Sequence, residues 1–144
     1  MTADEQAKLA AEGRDALRPR GRAAQLEHSE LRPGWTTGAC ACAAATAAFG
    51  ALLSGEVPDP GEIALPNDRR PAFALTQTRL SDGEAMAAVT KDAGDDPDVT
   101  HGVVVRATVR RTSEGSGVSF VGGPGVGTVT LPGLPLAVGE PAIN

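Results

Sequence analysis

A chain of 144 residues is long enough for one hydrophobic core and short for two, so a single folded domain without disulfide staples is expected. Thirteen Lys and Arg against 18 Asp and Glu leave a net charge of -5, which argues against a general nucleic-acid binder, because such a surface must be basic to displace counterions from phosphates. With 3% aromatic residues, 18 glycines and 11 prolines, the interior has to be built from Ala, Val, Leu and Ile between many sharp turns.

Residues 1–30 are rich in Ala, Glu, Gln and Arg, their leucines are too widely spaced for an apolar stripe, and Pro19 and Gly21 interrupt them; they read as an appendage, at most partly helical. The texture changes at "LRPGWTTGAC". A turn there leads to Thr37, a candidate N-cap, and a helix is expected to run to about Leu53 before Ser54 and Gly55 stop it. Its surface, "GACACAAATAAFGALL", is small or apolar nearly all round, which predicts burial on more than one side. The N-terminus at Thr36, Thr37 and Gly38 offers N–H groups and a positive dipole end to an anion.

The apolar stretch from Thr37 to Leu53 is short and rich in Ala and Gly for a membrane span, so no membrane association is expected. Cys40 and Cys42 fall on different faces of the helix and cannot bridge each other. Reduced cysteines, and a start containing Asp4, Glu5 and Glu12 in place of an apolar segment, suggest a cytoplasmic setting.

After Pro60 the pattern becomes short strands with turn punctuation: Glu62 to Leu65, Pro71 to Thr78, and Ala85 to Lys91 after the turn "SDG". In "HGVVVRATVRRT", Val103, Val105, Ala107 and Val109 alternate with Val104, Arg106, Thr108 and Arg110, and "SEGSG" is expected to turn this strand into a hairpin with "VSFV". One helix followed by antiparallel strands gives an α+β domain over residues 31–144, with the Ala-rich helix covering one sheet face. The Gly/Pro-rich tail "GGPGVGTVTLPGLPLAVGEPAIN" ends in mid-loop, as a piece of a longer protein would.

Two stretches invite chemistry. "VTKDAGDDPDVTHG", residues 89–102, gathers four aspartates and His101 beside Lys91. As a calcium loop it fails: counted from Asp92, Gly94 falls on a ligand position and Pro97 on the obligatory glycine, so no metal site is assigned. A solvated turn, with Asp side chains bonding their own backbone, and a catalytic cluster that manages protons or a cation both fit the spacing. "GGPGVG", residues 122–127, lacks the Lys-Ser/Thr of a P-loop, and "TVTLPG" after it is no helix, so its glycines read as backbone that turns tightly or lets a large ligand approach. Arg69, Arg70, Arg106, Arg110 and Arg111 read as solvated strand faces and turn ends that can also meet carboxylates.

Taken together and in order, "LRPGWTTGACACAAATAA", "VTKDAGDDPDVTHG" and "GGPGVGTVTLPGLPLAVGEPAIN" resemble the N-terminal part of the cobalt-precorrin-5B C(1)-methyltransferase family of anaerobic cobalamin biosynthesis. The resemblance covers Leu31 to Asn144, and Trp35 stands where the family often has Tyr. It implies methyl transfer from S-adenosylmethionine to ring carbon 1 of a cobalt-bearing tetrapyrrole, giving cobalt-precorrin-6A, with a second α/β portion expected beyond Asn144. Against that reaction, Asp92, Asp95 and His101 are the candidates for proton handling or charge stabilisation. Arg32, Trp35, Thr36, Thr37, Gly38, Gly122, Gly123, Gly125 and Gly127 are the candidates for holding a broad ring fringed with carboxylates. The rival expectation is a module that only binds tetrapyrrole or a partner subunit while a second polypeptide brings the donor; donor binding separates the two.

Overall fold

The computed structural model describes residues 31–66 and 68–143; the expected appendage at 1–30 lies outside the described residues. Among the described residues one helix, α1 (Thr37–Ser54), precedes five strands: β1 (Gly61–Glu62), β2 (Ala72–Phe73), β3 (Leu75–Ser81), β4 (Glu84–Thr90) and β5 (Val104–Arg110). β1 and β2 form a small antiparallel pair, and β3-β4-β5 form an antiparallel sheet in that order. This is the α+β architecture that the sequence pattern predicts.

The first helical residue is Thr37, so the cap is one position earlier than expected. Thr36 has extended backbone (φ -71, ψ 156), and its hydroxyl oxygen accepts from the Ala39 N–H at 3.1 Å, satisfying one of the donors that the first turn leaves open. At the other end Gly55 takes φ 80, a left-handed conformation that costs glycine little, and its N–H donates to the Ala51 carbonyl at 2.9 Å.

Small side chains let α1 lie close to the sheet. Cys40, Ala43, Ala44, Ala47, Ala48 and Ala51 are buried in two contiguous clusters with Ala85, Ala87 and Val89 of β4, Ile63 and Phe73, while Val105, Ala107 and Val109 of β5 pack against them half-buried. The predicted alternation of β5 therefore holds, with Val104, Arg106, Thr108 and Arg110 on the exposed face. At Gly61 an added Cβ would lie 3.3 Å from the Ala43 carbonyl oxygen, so β1 also passes tightly under the helix.

Only one face of α1 is covered, contrary to the expectation of burial on several sides. Phe49 and Leu53 are 54% and 68% exposed, because all the strands that reach the helix meet its alanine face. By length and composition alone α1 is sufficient to cross a membrane, so its sequence is not too short for one; in this fold it is the helix of the core.

Three strand expectations need correction. The run Pro71 to Thr78 divides between β2 and β3, which belong to different sheets, and Glu62 to Leu65 contributes only Glu62 to β1. "VSFV" does not pair with β5: the antiparallel neighbour of β5 is β4, with Ala87 opposite Ala107. The turn "SDG" is confirmed, joining Ser81 to Glu84 in the β3-β4 hairpin with Gly83 at φ 73. On the solvent face of that sheet Glu84 accepts from both Arg110 and Arg79, and those guanidinium groups, Arg110 foremost, hold its carboxyl below the usual range.

Candidate functional site

The site is built where the segment entering α1 meets the loop leaving β4. Strand alternation along β4 places Ala85, Ala87 and Val89 on the helix-facing side, and Lys91 continues that series, ending 2% exposed. A buried ammonium needs a partner, and Asp98 supplies it through an ion pair from Lys91 Nζ to Asp98 Oδ2. The other oxygen of Asp98 accepts from the Thr100 N–H (2.7 Å) and hydroxyl (2.6 Å), so the carboxylate is held on both sides. Lys91 first, then Thr100, pushes the Asp98 carboxyl far below its ordinary range. The Lys91 charge also acts on Cys40 in the first turns of α1, opposing the burial that raises the Cys40 thiol.

The entry segment is tied to the same loop by its backbone and by a charge pair. Trp35 N–H donates to the Asp92 carbonyl at 2.7 Å, and Asp95 N–H donates to the Arg32 carbonyl at 3.0 Å. Arg32 N–H donates to Asp95 Oδ2 at 2.6 Å, while the Arg32 guanidinium grips both oxygens of Asp92, at 2.5 and 3.0 Å. That hydrogen-bonded pair, with the Gly94 N–H, holds the Asp92 carboxyl at about 2. Pro33 and Gly94 form an isolated antiparallel bridge. The approach is so close that a Cβ on Gly34 would lie 1.9 Å from the Ala93 carbonyl carbon, and one on Gly94, at φ 65, would lie 2.2 Å from the Arg32 oxygen.

The aspartates of residues 89–102 are therefore mostly engaged. Asp92, Asp95 and Asp98 neutralise cations or cap backbone N–H groups, which accounts for a run of carboxylates between two apolar strands. His101 differs. Its Nδ1 accepts from the buried Ala93 N–H at 3.1 Å and lies 3.8 Å from Asp92 Oδ1, and its side chain is 56% exposed. With Nδ1 occupied as an acceptor, the neutral ring carries its proton on Nε2.

The fold thus brings Arg32, Trp35, Asp92, Asp95 and His101 together, with Thr36, Thr37 and Gly38 at the adjoining N-terminus of α1. Thr37 and Gly38 are exposed there, and their N–H groups have no acceptor among the described residues. Trp35 is committed on its sides: its ring meets Phe73 edge-on with centroids 5.1 Å apart, and the Arg69 guanidinium lies 5.4 Å from its centroid.

The glycines Gly122, Gly123, Gly125 and Gly127 belong to another part of the chain. Val126 N–H donates to the Gly123 carbonyl and Ala142 N–H to the Gly127 carbonyl, and Thr128 bridges Pro141; among the described residues no hydrogen bond joins them to the loop 91–103. No helix follows them, so they are not a donor cradle of the strand–loop–helix type, and the described residues do not assemble one elsewhere. Lys91, Gly34 and Gly94 are not among the site candidates that the sequence suggests. The alternation Ala85, Ala87, Val89, Lys91 carried the signal for the first; the contact between the two glycines had none.

Residues 24–144 match the CbiD family, and the chain belongs to that family. It is 63% identical over 120 residues to the cobalt-precorrin-5B C(1)-methyltransferase of Halorhodospira halophila, a stretch that covers 83% of this chain and 32% of that protein. The proteins of the same name from Rhodospirillum rubrum and Agrobacterium fabrum are 60% and 58% identical, over 82% and 83% of this chain and 33% and 32% of their own. The chain thus spans about a third of the length of the curated relatives it matches, their N-terminal part. No solved structure matches.

Proposed function

We propose that this chain is the N-terminal third of a methyltransferase that takes a methyl group from S-adenosylmethionine and places it on ring carbon 1 of cobalt-precorrin-5B, giving cobalt-precorrin-6A in cobalamin biosynthesis. The observation that carries the reading is 63% identity to a protein of that name over 120 residues, a stretch long enough to take in the entry segment, α1 and the acidic loop. The two cysteines, Cys40 buried and Cys42 exposed, are both unbridged, which favours a reducing cytoplasmic setting.

The donor supplies an electrophilic methyl group, and donor binding is assigned to the remaining two-thirds of the family's length. What this third contributes is positioning of the macrocycle. The exposed N–H groups of Thr37 and Gly38, at the positive end of α1, hold a carboxylate on the rim of the ring. Arg32, Asp92 and Asp95 act one step back, fixing the entry to that helix. His101 completes the contact: the Ala93 N–H occupies its Nδ1 and orients the ring, so that Nε2–H is left facing outward to donate a hydrogen bond to the macrocycle as carbon 1 becomes bonded to the methyl group.

A chimera tests this directly. Residues 31–144 of this chain replace the matched third of the Halorhodospira halophila protein, and transfer of a labelled methyl group to cobalt-precorrin-5B is measured. Product from the chimera is expected. A chimera that folds and binds S-adenosylhomocysteine yet methylates nothing would overturn the assignment.

A further inference from the structure

The segment "VSFV" has the composition of a strand and no strand to pair with. Val118, Phe120 and Val121 are 85%, 78% and 86% exposed, and from Gly117 to Val121 no backbone N–H or C=O is hydrogen-bonded to any described residue. β-branched and aromatic side chains favour a pleated, half-buried surface, and this stretch has neither a sheet beside it nor a surface beneath it. Exposed strand-forming edges in natural proteins are usually blunted by charges, prolines or bulges. From Ser116 to Gly123 there is no charge and no proline. The rest of the same arm follows suit: the hydrogen bonds of residues 112–143 stay within that segment, while Leu131, Leu134 and Val138 face outward.

We propose that Val118–Val121 is an added strand, which completes a sheet belonging to the two-thirds of the family's length outside the matched region, and that the 112–143 arm docks on that body. The family match runs through the segment to residue 144, and the relatives devote only 32–33% of their length to what this chain contains. The bonding is main-chain hydrogen bonding along one strand edge, with Val118 and Phe120 on one face of the added strand and Val121 on the other. This docking is independent of the reaction and of every residue assigned to it.

Amide hydrogen exchange tests it on two intact proteins, this 144-residue chain and the full-length Halorhodospira halophila relative. In this chain the amides of Ser119, Phe120 and Val121 are expected to exchange at nearly unprotected rates, while the aligned amides of the relative are slowed about 100-fold or more. Equally fast exchange in both proteins would overturn the added strand. Slow exchange in this chain alone would also overturn it: independent of protein concentration, it would mean pairing within the chain, and rising with concentration, pairing with a second copy.

Discussion

Arg32 and Asp92, 60 positions apart, form a two-pronged ion pair that fastens the entry to α1 onto the loop leaving β4. Both groups are substantially exposed, but the pair does not act alone, since the same two segments exchange three further hydrogen bonds and a backbone bridge. Arg32→Ala and Asp92→Asn are each expected to lower the urea midpoint, and the double variant to fall no further than the worse of the two. A midpoint loss that adds across the two substitutions would show that they stabilise the fold separately.

Acid should release this clamp. The Asp92 carboxyl, held at about 2 by Arg32 against an ordinary value of 3.8, is protonated more readily in the unfolded chain than in the folded one. Its contribution is present above about pH 4 and is lost as pH falls towards 2, and Asp98, depressed by Lys91, extends the loss in the same direction. Stability measured against pH should therefore decline more gently over that window in Asp92→Asn than in the parent. Parallel profiles would refute the linkage.

The two close glycines give the sharpest structural test. Gly34→Ala puts a methyl group into the Ala93 backbone, and Gly94→Ala adds a left-handed backbone to a similar clash, so each should cost about 2 kcal/mol or more. Gly38→Ala is the control: its new Cβ would find only the Thr36 hydroxyl, at 3.9 Å, and alanine within a helix is worth about 0.5–1 kcal/mol over glycine. A Gly34→Ala protein as stable as the Gly38→Ala protein would mean that the entry segment does not lie against the loop.

The alanine face of α1 should tolerate no charge. Ala44 and Ala48 are 0% and 1% exposed, and an unpaired guanidinium there costs several kcal/mol, enough to abolish a marginal fold. Ala44→Arg and Ala48→Arg are expected to be insoluble or to lack a cooperative unfolding transition. Normal transitions in both would place the helix off the sheet.

Activity separates the histidine from the aspartates. In the chimera, His101→Gln keeps an acceptor for the Ala93 N–H but loses the imidazole and the outward N–H that it fixes in place, so methyl transfer should fall about 100-fold while the urea midpoint stays near the parent value. Asp95→Asn should weaken stability and rate together, because its carboxylate caps the Arg32 N–H. Parental turnover by the His101→Gln protein would leave the imidazole without a chemical role.

Local signals were legible in the sequence and pairings across the chain were not. The stop at Gly55, the hairpin at Gly83 and the two faces of β5 each depend on a few adjacent residues, and each stands where the pattern puts it. The grip of Arg32 on Asp92 depends on two segments with no shared periodicity. Spacing showed clustered carboxylates; only the fold shows the cations and N–H groups that occupy them. "VSFV" illustrates the same limit, for its residues state a preference for pairing but not the identity of the partner. Lys91 is the opposite case, a residue whose burial follows from the alternation of β4 once that register is extended one step further.

Cys40 and Cys42, two residues apart in α1, differ completely in access, one sealed beneath the helix and the other in solvent. A thiol-reactive fluorophore will therefore attach at a single place without any residue having to be removed. Helical spacing puts that label on the flank that also carries Thr46, Phe49 and Leu53, so its emission would sense whatever comes to lie against the uncovered side of α1.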